Sequence, residues 1–215
     1  RGPAPPLDAA AGAEGASPQA PARSRYPSAM TEPLLGHALL VLVALQRGLE
    51  MLWARANTRR LLAAGAYAVP RDGFVGLVVV HLAWLAGMAV QRLAFGARMP
   101  PLPVALALGV ALLATEALRA WTLATLGRRW TIRVVVVDGE APVRGGPYRV
   151  LTHPNYVVVT LEMLLIPCLL GTWWTAAGVV VPHALTLAHR IRREEAAWRE
   201  RAARPLGTLS PSAGP

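Results

Sequence analysis

From Leu34 onward the chain is a succession of apolar runs, each close to the ~20 residues that cross a bilayer as a helix, and arginines gather in the segments between them. Of its 215 residues 54% are hydrophobic and only 16% charged, where a soluble domain carries about a quarter charged residues. The pattern is that of an all-α, polytopic membrane protein. The single cysteine, Cys168, rules out an intrachain disulfide framework, and no CxxC or Cys/His cluster offers a structural zinc site. His37, His81, His183 and His189 are scattered without H-E-x-x-H spacing, so no metal is expected.

The net charge of +10 does not point to nucleic acid. All 22 basic residues are arginine, which together with the abundance of Ala, Gly and Pro reflects GC-rich coding. They flank apolar runs, where the positive-inside bias places them, instead of forming a basic face on a soluble fold.

About five spans are expected, over residues 34–53, 74–93, 103–120, 154–170 and 172–187. Arg47 and Glu50 interrupt the first at three-residue spacing, which lets them pair or snorkel. The fourth and fifth are separated by little more than Gly171, a tight antiparallel hairpin, with Trp173 and Trp174 as interface aromatics at the turn. Arginines concentrate after spans one and three and after span five, whereas the turn between four and five has none. That asymmetry predicts an N-out, C-in topology in a bacterial inner membrane; Arg92 and Arg98 are the minority on the other side. Residues 1–30, rich in Pro, Gly, Ala and Ser, cannot bury enough surface to order and read as a disordered tail. The sequence Met30-Thr31-Glu32-Pro33 makes a sensible start, in which case residues 1–29 are a product of start-site choice. Residues 31–126 then form an N-terminal unit of three spans, 127–204 the region carrying the chemistry, and 205–215 a second unstructured tail.

Two segments on the arginine-rich side hold that chemistry. Residues 128–156, RRWTIRVVVVDGEAPVRGGPYRVLTHPNY, are too polar for a plain connector: 134–137 followed by Asp138-Gly139 read as an extended piece and a turn, and Gly145-Gly146-Pro147 lets the backbone turn sharply and approach a ligand. Tyr148, His153, Asn155 and Tyr156 follow at the start of span four. In the second segment, HRIRREEAAW, Arg190 and Glu194 lie four apart on one helical face, and Glu195 is rotated from Glu194 by one helical step. Taken alone, His153 could simply cap a helix before Pro154, and Glu194-Glu195 could merely offset the neighbouring arginines. Glu162, inside span four, is costly in lipid and faces either a substrate cavity or a partner in the bundle.

The pair GPYRVLTHPNY and RIRREEAAW resembles the C-terminal signature of the isoprenylcysteine carboxyl methyltransferase family: Gly146-Pro147-Tyr148, then His153-Pro154-Asn155-Tyr156, a helical hairpin, and Arg190 with Glu194-Glu195. The resemblance is strong over residues 127–200 and weaker around residues 47–60 and His81. It departs from the family's pattern at Thr152, where an Arg usually precedes His-Pro and an ionic contact is lost, and at Trp198, where a Leu is usual. The resemblance implies S-adenosylmethionine as cofactor on the cytosolic face, held by Val143, Gly145, Gly146, Pro147, Tyr148, His153, Pro154, Tyr156 and Glu195. Glu195 with Glu194 would orient the cofactor's cationic side and Arg190 would hold the acceptor's oxyanion, with Glu162 a second contact to substrate. It also implies a lipid-like or prenylated acceptor entering from the bilayer. The absence of GxGxxG after a strand agrees with a cofactor held by loops and helix ends. The acceptor stays open between an isoprenylcysteine-type carboxylate and a long-chain polyketide hydroxyl of the alkylpyrone kind, the latter suggested by the HPNYVVVTLE stretch. A carboxylate or acidic enol needs no strong base, whereas a neutral amine or phenol does, with His153 the nearby candidate. A phospholipid N-methyltransferase-like enzyme shares a looser form of the signature. The alternative of another class is a non-catalytic membrane scaffold or transporter subunit, although no inverted repeat with broken helices is visible.

Overall fold

The computed structural model describes residue 2 and residues 31–137 and 140–203; the two expected tails and the Asp138-Gly139 turn lie outside them. Five α-helices follow in order: α1 Thr31–Ala63, α2 Phe74–Leu93, α3 Leu102–Leu126, α4 Pro154–Leu169 and α5 Trp173–Ala203. A two-residue antiparallel ladder joins β1, Tyr67–Ala68, to β2, Val135–Val136. Its β2 strand is the extended piece expected after Arg133. Helix α2 has the expected limits, but α1, α3 and α5 run past the expected spans, to residues 63, 126 and 203. Hydropathy marks the apolar stretch, whereas helical hydrogen bonding continues through arginine and glutamate, both good helix formers.

Three helices are long and apolar enough to cross a membrane, α1, α2 and the stretch Leu102–Arg129, and α4 is apolar but shorter. The chain is by these criteria an integral membrane protein. Leu42, Leu45 and Leu49 on α1, Val75, Val79 and Leu82 on α2, and Leu106, Val110 and Leu113 on α3 are all exposed. Their three-to-four spacing draws an outward apolar stripe on each helix.

Inside, α3 packs on α4 and α5 packs on both α2 and α4. Val43, Val80, Trp84, Met88, Met163 and Ile166 form the core between them, and the Trp84 indole donates to the Met163 carbonyl at 3.2 Å. At the end away from the ladder, Gly171 turns the chain between α4 and α5 at φ +71°, and a Cβ there would collide with the Arg98 carbonyl. Arg92 is buried beside it, donating to Leu170 O at 3.0 Å and pairing with Glu32 at 3.3 Å. This arginine on the sparse side of the charge pattern is thus a bundle latch, not a loop charge.

Candidate active site

The end of the molecule carrying the ladder gathers three arginine-bearing segments. Buried Asn57, near the end of α1, donates to Trp130 O at 2.9 Å and to Gly127 O at 3.3 Å. Asp72, just before α2, accepts from the Phe74 amide at 3.2 Å, from Arg133 Nε at 2.8 Å and from the Val134 amide at 2.9 Å. Arg190 of α5 completes the junction: it donates to Asp72 O at 3.3 Å and to Ile132 O, with the Asp72 carboxylate 3.9 Å away. Asp72 was not singled out in the sequence, although Asp-Gly before an apolar run is a helix-start signal.

Around this junction the expected residues converge. His153 occupies the N-cap position of α4, as expected of a residue before Pro154, with φ −132°, but its side chain makes no capping hydrogen bond. Its ring stacks on Tyr156 at 5.1 Å between centroids, and Nδ1 is 4.0 Å from Glu194. The Tyr156 hydroxyl donates to Glu194 at 2.5 Å and accepts from Arg190 Nε at 3.1 Å. One phenol thus links the helix α4 start to both α5 residues. Burial, and then the Glu194 carboxylate, push the Tyr148 phenol up to about 12, so it stays a neutral hydroxyl at working pH.

These side chains line one end of a cavity of about 600 Å³, within the size range of small-molecule sites. Val143, Tyr148, His153, Tyr156, Arg190 and Glu194 face it. Asn155 and Trp198 join them; Asn155 had been noted only as a neighbour of His153, and Trp198 only as a departure from a pattern. Further in, the walls turn apolar, with Leu77, Leu82, Leu85 and Val159 among them.

The remaining expected residues fall elsewhere. Gly145, Gly146, Pro147 and Pro154 are not in the cavity wall. Gly146, at φ +55°, is glycine because a side chain would strike Thr125 of α3, so its close approach is to a helix. Glu195 is also absent from the wall and half exposed, 3.8 Å from Arg199; one helical step swings it away from Glu194. Glu162 is tied within the bundle, to Arg47 at 2.9 Å and to Arg119 through Nε at 2.7 Å and a second contact. Arg119 reaches Glu50 at 2.8 Å, and Arg47 pairs with Glu50 at 2.8 Å. Of this network Arg47, Glu50 and Arg119 border the inner part of the cavity and Glu162 does not. No group of three metal-ligating side chains occurs among the described residues.

The outer end offers an incomplete set of partners. His153 Nε2 and Asn155 Oδ1 are buried with no hydrogen-bond partner among the described residues, as are Asn57 Oδ1 and Arg92 Nε away from the cavity; in the cavity wall such atoms leave hydrogen-bonding capacity for a ligand or water. Beside them stand a carboxylate, Glu194, and the rings of Tyr148, Tyr156 and Trp198. Carboxylate and aromatic faces suit a sulfonium or ammonium cation, while the unpartnered histidine and asparagine suit a heterocyclic base. The donor set therefore fits S-adenosylmethionine.

Comparison with known proteins agrees with this chemistry. Residues 106–200 match the model of the isoprenylcysteine carboxyl methyltransferase (ICMT) family. An uncharacterized protein of Bacillus subtilis (strain 168), YpbQ, is 32% identical over 164 residues, which cover 75% of this chain and 95% of YpbQ. No solved structure matches the chain.

Proposed function

Since the chain belongs to the isoprenylcysteine carboxyl methyltransferase family, whose members use S-adenosylmethionine, we propose that it is a membrane methyltransferase acting on the oxygen of a lipophilic acceptor. The observation that carries this reading is the two-ended cavity, with His153, Tyr156, Glu194 and the unpartnered Asn155 at one end and apolar walls beyond. The cofactor, when bound, supplies an activated methyl group. Glu194 and the rings of Tyr148, Tyr156 and Trp198 would hold its cationic side, and His153 and Asn155 its heterocycle. Arg190, with its nitrogens engaged by Tyr156, Asp72 and Ile132, acts here as a positioning residue. It fixes the Tyr156 hydroxyl and ties the 130s segment over the mouth, which excludes water from the reacting groups.

The acceptor's chain would lie against Leu77, Leu82 and Leu85, bringing its oxygen toward the polar end; holding the two reactants in that relation supplies much of the rate. The convergence of the arginine-rich segments at the mouth supports a cytosolic placement, and with it five spans and an N-out, C-in chain. The test is a pair of measurements on the full chain in detergent: S-adenosylmethionine binding, and transfer of labelled methyl to a panel of amphiphilic carboxylates, hydroxyls and phosphatidylethanolamine. Cofactor binding with label in one lipophilic product class is expected. A well-folded protein that neither binds the cofactor nor labels any acceptor would overturn the reading in favour of a non-catalytic membrane protein.

A further inference from the structure

Glu194 and its aromatic neighbours suit a cofactor's cationic side, but S-adenosylmethionine also carries an anion. It ends in an amino-acid group, with an ammonium and a carboxylate on one carbon, both ionised at neutral pH. A site that seats the ammonium beside Glu194 must therefore meet a carboxylate close by. Left without a partner in a partly buried mouth, that carboxylate would weaken binding.

Five arginines border the cavity: Arg47, Arg119, Arg129, Arg133 and Arg190. Arg119 is spent on Glu50 and Glu162 through all three nitrogens. Arg190 is 4% exposed, and each of its nitrogens already donates, to Tyr156, Asp72 and Ile132. Arg129 pairs with Glu140 at 2.7 Å and reaches Ala141 O at 3.4 Å. Arg47 keeps unspent N–H groups. It lies, however, about 15 Å along α1 from Asn57 at the helical rise, between Glu50 and Glu162 and away from the mouth.

Arg133 differs from all four. It stands at the rim, bordering both the cavity and a second hollow beside the start of α2, with its side chain 38% exposed. Its Nε donates to Asp72 at 2.8 Å, whereas neither Nη group has a hydrogen-bond partner among the described residues. The guanidinium lies over the Phe74 ring at 5.4 Å. One edge on Asp72 and one face on Phe74 hold the fork in place before any ligand arrives.

The surrounding charges run in the matching order. Asp72 Oδ2 stands 2.8 Å from Arg133 and 3.9 Å from Arg190. Arg190 in turn reaches Glu194 through the Tyr156 hydroxyl. The string from Arg133 to Glu194 thus has a cation with open donors at one end and a carboxylate at the other. An amino-acid group set against it would place its own charges opposite.

We infer that Arg133 holds the carboxylate of S-adenosylmethionine through its two Nη groups, while Glu194 faces the cationic side. This rests on the methyltransferase reading and adds to it the residue that recognises the cofactor's amino-acid end.

The test is calorimetry on the full chain in detergent, with S-adenosylmethionine and its decarboxylated form, which keeps the adenosine, the sulfonium and the amine and lacks only the carboxylate. Wild type should bind S-adenosylmethionine about tenfold or more tightly than the decarboxylated form. Arg133→Gln should abolish that preference by weakening S-adenosylmethionine alone, and Arg133→Lys, which keeps the charge without the fork, should retain part of it. Arg129→Gln should keep it in full. The ratio of the two affinities separates recognition from scaffolding, since damage to the Asp72 junction would weaken both ligands alike. Equal binding of the two by wild type, an undiminished preference in Arg133→Gln, an equal loss of both ligands in that variant, or a preference lost in Arg129→Gln instead would overturn the inference. Binding of neither ligand to well-folded wild type would overturn the methyltransferase reading, and the inference with it.

Discussion

Two polar clusters lie along the bundle, and they differ in how far their members satisfy one another. The inner one sets Arg47 and Arg119 against Glu50 and Glu162, so that every charge has an opposite one at 2.7–2.9 Å, although Arg47 Nε and Nη2 make no hydrogen bond among the described residues. The outer one links His153, Tyr156, Arg190 and Glu194 but leaves His153 Nε2 and Asn155 Oδ1 without hydrogen-bond partners among the described residues. Charges that complete each other inside hydrocarbon hold helices together. Groups left incomplete at the rim of a cavity keep hydrogen-bonding capacity that a ligand can use. The composition of the two clusters is much alike; it is the pairing that separates scaffold from site.

The largest expected effect comes from opening the inner network. Glu162→Ala leaves two buried guanidinium groups short of a partner and should destabilise the fold by about 3–5 kcal/mol, read as a large fall in the unfolding midpoint in detergent. If Glu162→Ala instead unfolded like wild type and changed only ligand binding, the two clusters would be the same kind of object. Next, Gly171→Ala should cost about 2 kcal/mol, because it adds left-handed strain to a collision with the Arg98 carbonyl; thermal unfolding checks it, and cofactor affinity in the surviving folded protein should be unchanged. Asn155→Ala sharpens the contrast from the other side. Its Oδ1 bonds to nothing among the described residues, so stability should stay within about 0.5 kcal/mol, while cofactor affinity measured by calorimetry should fall about tenfold, or ~1.4 kcal/mol.

The limits of α2 and α4 were legible because an apolar run ends where Gly-Phe or His-Pro begins and where Arg92 or Gly171 follows. Helices α1 and α5 were under-read, since arginine-rich turns end a hydropathy signal without ending a helix. The convergence of Tyr148, His153, Tyr156, Arg190 and Glu194 on one cavity was visible as a motif pair joined by a short hairpin. The partners of Glu162 were not: Arg47 and Arg119 come from other helices, and one sequence holds no record of which faces meet. For the same reason nothing in the sequence singled out Asp72 as the anchor of Arg190 and Arg133. Glu195 differs from Glu194 only in helical phase, and the phase is set by where Arg190 and Tyr156 dock.

That phase difference gives the most direct test of the central claim that the site is the incomplete cluster at the cavity mouth. S-adenosylmethionine should be titrated calorimetrically into the detergent-solubilised wild type, Glu194→Gln and Glu195→Gln. Affinity should fall about tenfold or more in Glu194→Gln and stay unchanged in Glu195→Gln, with both variants as stable as wild type. Loss of binding in Glu195→Gln with Glu194→Gln intact would contradict it.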